Sequence, residues 1–140
     1  MGSPLTGGCG CGAIRFEVTA PFLSASYCHC TRCQRRSGAA ASANARAQPG
    51  SVRIIEGADE LRTWAPEGGF EKLFCGRCGS ALFSRPPGQD NLTGVRLGAL
   101  DGDPGARPQW RQYVASAAAW EEIPDDGLPR YDGARPPAAP

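Results

Sequence analysis

Apolar and polar residues alternate most clearly over residues 13–19, where Ile14, Phe16 and Val18 fall on one face and Arg15, Glu17 and Thr19 on the other. That two-residue period is the mark of a half-buried strand. Pro21 ends it, and a second extended segment is expected to carry Tyr27 into Cys28. Residues 51–56, rich in β-branched side chains and bounded by Pro49-Gly50 and Gly57, predict a further strand. Residues 61–64 predict another. After a turn over 66–69, Phe70, Lys72 and Phe74 alternate with Glu71 and Leu73 on the way into Cys75. Residues 82–84 and 91–100 read as strands, and 101–105 as a turn. Alanine content would permit helix over 39–47 and 114–122. Both runs are short and lie between turn signals, which weighs against it. Residues 134–140 are expected to form a disordered tail.

Glycine and proline together account for 32 of the 140 residues, which cuts the chain into short pieces and points to a mainly β, turn-rich fold rather than a helical bundle. With no repeat and no internal linker, residues 5–133 are expected to form one domain. No stretch approaches the roughly 20 apolar residues of a membrane span. The first residues lack the apolar core of a signal peptide, so a reducing cytoplasm is the expected compartment. A loose myristoylation pattern at the start and the sequon Asn91-Leu92-Thr93 are read as chance matches. The net charge of +1 gives no basic field to gather a polyphosphate, so nucleic acid is not an expected partner. Lys72 is the sole lysine among fifteen basic residues. Compositional bias is the plain reading of the arginines; the functional one is that Arg32, Arg35 and Arg36 clamp a substrate carboxylate.

Cysteine changes the picture most. All seven fall in three clusters, Cys9-x-Cys11, Cys28-x-Cys30-x-x-Cys33 and Cys75-x-x-Cys78. Such spacing suits metal ligands, whereas disulfides would leave one cysteine over. Two pairs from distant parts of the chain can clasp one zinc, so Cys9, Cys11, Cys75 and Cys78 would make a closed, structural four-sulfur site. Cys28, Cys30 and Cys33 would then hold a second zinc with one position open. Spacing alone also allows Cys28 and Cys30 to pair with Cys75 and Cys78. Glycines beside the clusters, among them Gly10, Gly12, Gly76 and Gly79, let backbone amides approach the thiolates.

The order Gly7 to Gly12, Cys28 to Cys33 with Ser37-Gly38, Phe74 to Gly79, Gly98 to Asp101 and Trp120 resembles the glutathione-dependent formaldehyde-activating (GFA) family, which includes the CENP-V proteins. The match runs over nearly the whole chain and rests on three cysteine clusters in order. The resemblance implies a tent-like arrangement of small coiled antiparallel sheets carrying two zinc sites. It implies a structural role for Cys9, Cys11, Cys75 and Cys78 and a catalytic one for Cys28, Cys30 and Cys33. It also implies an edge strand rather than a helix over 114–120. Gln34 stands where arginine is usual, and Ala39 to Ala41 where bulkier residues are usual, so a changed or smaller pocket wall is expected.

Three thiolates leave a zinc site formally at −1, which suits holding a substrate thiolate better than activating water. The expected activity is therefore that of a carbon–sulfur lyase or synthase acting on a thiol–aldehyde adduct such as S-(hydroxymethyl)glutathione, with a small-molecule thiol as partner. Other readings are a zinc-dependent lyase or hydrolase of another small electrophilic adduct, a noncatalytic zinc-stabilised binding module, and, more weakly, a redox role for Cys75 and Cys78. His29, the one histidine, should point away from the face shared by Cys28 and Cys30 if its segment is extended. His29, Asp101, Glu121 and Glu122 are candidate general bases; Asp101 otherwise shapes a turn. Trp64, Trp110 and Trp120 either line a pocket or pack in the core or rim.

Overall fold

The computed structural model describes residues 3–137. Among these residues the chain forms two β-sheets and one short α-helix. In order, the strands are β1 (Leu5–Gly8), β2 (Arg15–Val18), β3 (Ser24–Cys28), β4 (Ser42–Arg46), β5 (Val52–Glu56), β6 (Leu61–Trp64), β7 (Glu71–Cys75), β8 (Ala81–Arg85), β9 (Gly94–Arg96) and β10 (Arg111–Gln112). The helix α1 (Thr31–Ser37) lies between β3 and β4. One sheet has the order β1-β2-β5; the other has the order β10-β3-β4-β9-β8-β7-β6. All neighbours are antiparallel except β10 against β3.

The core lies where the sheets face each other. Ile14, Phe16 and Val18, the predicted inner face of β2, are almost fully buried with Leu73, Leu82, Phe83 and Val95 of the larger sheet. Phe16 and Phe83 meet edge to face at 4.9 Å, a pair contributing about 1 kcal/mol beyond area burial. Around the smaller sheet the chain packs closely where glycine replaces a side chain that would collide. A Cβ on Gly7 would strike the Phe16 ring and the Ala99 carbonyl, and one on Gly57 would overlap the Ala13 carbonyl. Gly57 also has φ of 76°, so an L side chain there is strained as well as crowded. We expect Gly57→Ala to destabilise by about 2–4 kcal/mol, an overlap added to the left-handed penalty. Urea denaturation measures this, and a loss under 0.5 kcal/mol would refute it.

The alanine-rich stretch around 42–46 is not a helix, as its flanking turn signals weigh, but a strand: Ala43 and Ala45 share the inner face with Val95, and Ala45 is 2% exposed. Other elements depart from the pattern reading. The strand expected over 91–100 is confined to Gly94–Arg96 and gives way to a 3-10 turn at Leu97–Ala99. There the chain leaves one sheet for the other, with Leu100 bridging to Gly7 and the Asp101 amide donating to Thr6 O. The edge strand expected over 114–120 lies upstream, at β10. Tyr113 takes a left-handed conformation (φ 56°) and is followed by a 3-10 turn at Val114–Ser116. By that point β3 has ended at Cys28, and the amides of 113–115 donate instead to the carbonyls of 131–133. Of the expected tail, residues 138–140 lie outside the described residues. Within the rest, the Arg135 guanidinium stacks 3.7 Å over the Trp110 ring.

Candidate metal centres and active site

Cys9 and Cys11 follow β1, while Cys75 ends β7 and Cys78 sits in the turn before β8. Their four sulfurs lie within 4.8 Å of one another. Cys9 Sγ to Cys11 Sγ is 3.6 Å and Cys11 Sγ to Cys75 Sγ is 3.8 Å. Tetrahedral zinc with bonds of about 2.3 Å places its sulfurs about 3.8 Å apart, so the donor set and spacing fit that ion. Backbone and hydroxyl donors surround the group. The Ile14 amide donates to Cys9 Sγ at 3.2 Å and the Arg77 amide to Cys75 Sγ at 3.4 Å. The Ser80 hydroxyl, 3.2 Å from Cys78 Sγ, is the main reason that thiol is drawn down to about 5. Ser80 Oγ in turn accepts from the Gly10 amide, tying one cysteine loop to the other.

Cys28, Cys30 and Cys33 form a second group whose sulfurs lie within 4.8 Å. Cys28 is the buried last residue of β3. Cys30 is the N-cap of α1, its sulfur accepting from the Cys33 amide at 3.2 Å, and Cys33 lies in the first helical turn. A cysteine cap is outside the usual set of capping residues, and the alternation rule gives no warning of a seven-residue helix. Gly38 closes it in the left-handed conformation. Within the trio, Cys33 is lowered to about 5 by hydrogen bonding to Cys28 first, then by Ser42 and Cys30 and the charge of Arg96, against the opposing effect of burial. Cys28 is pushed up, chiefly by the same bond to Cys33 and then by burial. Three sulfurs so placed make a donor set suited to a soft ion.

Registers place this group on a polar sheet face. Gln112, Cys28 and Ser42 form one row across the strands; Ser26, Asn44 and Arg96 form the next; Ser24, Arg46, Gly94, Ser84, Lys72 and Trp64 form the third. The alternation in β4, Ser42-Ala43-Asn44-Ala45-Arg46, holds the signal: small apolar residues turn to the core and polar ones outward. A groove of about 640 Å³ runs over this face, bounded by Ser26, Asn44, Ser84 and Gln112 with Phe70 and Trp110.

His29 lies on the other side of the strand, as alternation predicts. It is 3% exposed and its Nε2 accepts from Arg111 Nη1 at 3.2 Å. Arg111 also pairs with Asp126 at 2.8 Å and stacks over Tyr27 at 4.3 Å. Burial, then the Arg111 charge, lowers the His29 pKa. With its lone pair taken, the imidazole fastens the C-terminal segment to the cysteine loop. Gln34 reinforces that tie, its Nε2 donating to the carbonyls of His29 and Ser116 at 2.8 Å each. Ala39, Ala40 and Ala41 line a separate cavity of about 310 Å³ with His29, Glu121 and Glu122, which is where the unusual small residues leave room.

The remaining candidates scatter. Asp101 accepts from Arg15 and Thr6, which hold its carboxyl below the usual range. Arg15 and Asp101 share a second groove with Ser42 and Arg96. Trp64 is exposed beneath the Arg32 guanidinium at 5.8 Å, Trp110 is buried, and Trp120 is exposed. Arg35 is exposed on α1, whereas Arg36 turns an unpartnered Nη1 inward. Lys72 and Arg96 were not picked out by spacing as neighbours of the cysteines, because only strand register brings them there.

Two cysteine groups that could each hold a metal ion, on a mainly β fold, define the class, and comparison gives that class a family. The model of the glutathione-dependent formaldehyde-activating enzyme family matches residues 4–116, and the chain belongs to that family. It is similar to a Halomonas elongata protein named "Putative glutathione-dependent formaldehyde-activating enzyme", with 29% identity over 127 residues, covering 85% of this chain and 80% of that one. It is also similar to a Rhodobacter sphaeroides protein of known crystal structure, with 26% identity, a TM-score of 0.54, and coverage of 90% of this chain and 98% of that one.

Proposed function

We propose that this protein interconverts a small thiol and an aldehyde with their S-hydroxyalkyl adduct, as a carbon–sulfur lyase or synthase. S-(hydroxymethyl)glutathione is the first candidate substrate. The net reaction is R–SH + CH₂O ⇌ R–S–CH₂OH, so the sulfur proton ends on the new hydroxyl. The observation that carries the reading is the three-sulfur group beside a groove, with His29 turned away and held by Arg111. A zinc ion bound by Cys28, Cys30 and Cys33 would supply an open position and the positive charge that favours a thiolate there. The chain's own part is to place and confine. The Ser42 hydroxyl and the Cys33 amide fix two of the sulfurs, and the polar rows give the adduct's oxygen and amide groups hydrogen-bond partners. Confining sulfur and aldehyde in one groove makes bond formation effectively intramolecular. Cys9, Cys11, Cys75 and Cys78 serve as the structural site, within one domain over 5–133 working in a reducing cytoplasm.

Exchange NMR tests this. Glutathione and formaldehyde should interconvert with the adduct faster in the presence of zinc-loaded protein than without it at equal pH, and Cys30→Ala should remove the acceleration. Full acceleration by the Cys30→Ala protein would refute the assignment.

A further inference from the structure

Arg36, Lys72 and Arg96 lie within reach of the three-cysteine group's charge, with Arg32 near Lys72. Arg32 and Arg36 come from α1, Lys72 from β7 and Arg96 from β9. Among the described residues the five ion pairs use Arg15, Arg53, Arg85, Arg107 and Arg111, and none of these four. Arg36 Nη1 is buried without a hydrogen-bond partner. Lys72, Arg96 and Arg36 are all partly buried, and the negative groups whose charge reaches them are the cysteines of the trio. Desolvated like charges repel and lose hydration, so such a group costs stability unless an anion satisfies it. Metal-bound thiolates at a formal charge of −1 would offset only one of the four.

We propose that Arg36, Lys72 and Arg96 form an anion subsite beside the thiol position, which selects substrates carrying a carboxylate near the sulfur. This inference rests on the thiol–aldehyde reading above. It adds which residues set specificity: the planar guanidiniums of Arg36 and Arg96 suit a carboxylate's two oxygens, and Lys72 supplies a point charge in the row of Ser84. Arg32 is set apart by its stacking on Trp64.

The test measures binding to zinc-loaded protein by calorimetry, with 3-mercaptopropionate, 2-mercaptoethanol and propionate as probes. 3-Mercaptopropionate should bind at least about tenfold tighter than 2-mercaptoethanol, and the advantage should shrink as NaCl is raised. Lys72→Met and Arg96→Gln should each remove most of that advantage, read as the ratio of the two thiols' affinities for each variant at matched zinc content. Equal affinity of the two thiols for the unaltered protein would overturn the subsite and leave the thiol reading standing. Binding of neither thiol would sink the thiol reading. In that event, propionate binding that is lost in Lys72→Met would still support the anion subsite, and no propionate binding would overturn it too.

Discussion

Replacing Cys75 with alanine should leave a protein that shows no cooperative unfolding on heating, or one whose midpoint is lowered by more than about 15 °C, a loss of roughly 4 kcal/mol or more. Cys75 is fully buried, ends β7, belongs to the core cluster and contributes a sulfur to the four-cysteine group. The substitution therefore removes packing and a ligand at once. A structural zinc site can contribute about 10–16 kcal/mol of apparent binding free energy, while a domain's net stability is about 5–15 kcal/mol. Losing one ligand of four is enough to reverse the balance. Circular dichroism during heating, with metal analysis alongside, measures both consequences. An unaltered midpoint with full metal content would remove the structural role from this group. Prolonged chelation of the unaltered protein should reproduce the effect without any substitution.

At the other cluster the expected pattern is inverted. On the proposed function, Cys30→Ala should cost one of two zinc ions per chain and cut catalysed thiol–aldehyde exchange by at least about 100-fold, roughly 2.7 kcal/mol of transition-state stabilisation. The fold should survive, because Cys30 is only partly buried and lies outside the core cluster. A modest loss of stability, about 0.5–2 kcal/mol, is expected from the helix cap alone, since the Cys33 amide loses its acceptor. Cys30→Ser separates the two roles: the hydroxyl can cap α1, so stability should return, but metal content and exchange should not. A serine variant with full exchange activity would show that this sulfur serves only as a cap.

How much of this was legible beforehand differs by feature. The inner face of β2 and the strand at Leu61–Trp64 follow directly from the two-residue period and from turn residues. The grouping of Cys9 and Cys11 with Cys75 and Cys78 was favoured by spacing, although the pairing with Cys28 and Cys30 was also open; sulfur distances favour the first. Local signals fail where one sulfur does two jobs, as Cys30 does in starting α1. They fail as well where a tertiary contact redirects the backbone. Tyr113 in a left-handed conformation cannot be read from neighbouring residues, and it moves the edge strand upstream to Arg111–Gln112. The polar rows were half visible in β4, but which residue of β9 or β7 faces Asn44 or Ser84 depends on register, and one residue of slip would reverse every side chain.

The sulfurs of Cys11 and Cys75 meet across 64 positions of chain, and that separation sets a timetable for biosynthesis. At roughly 5–20 residues per second, the ribosome delivers the second pair of thiols about 3–13 s after the first. For most of that wait Cys9 and Cys11 sit on a nascent chain whose β2 still lacks the partner strand β5 and whose core is half written. Oxidants or stray thiophilic metals have their best opportunity then, before the closing knuckle exists. Production in a reducing host with adequate zinc thus bears on the yield of correctly assembled protein, quite apart from the stability of the finished molecule.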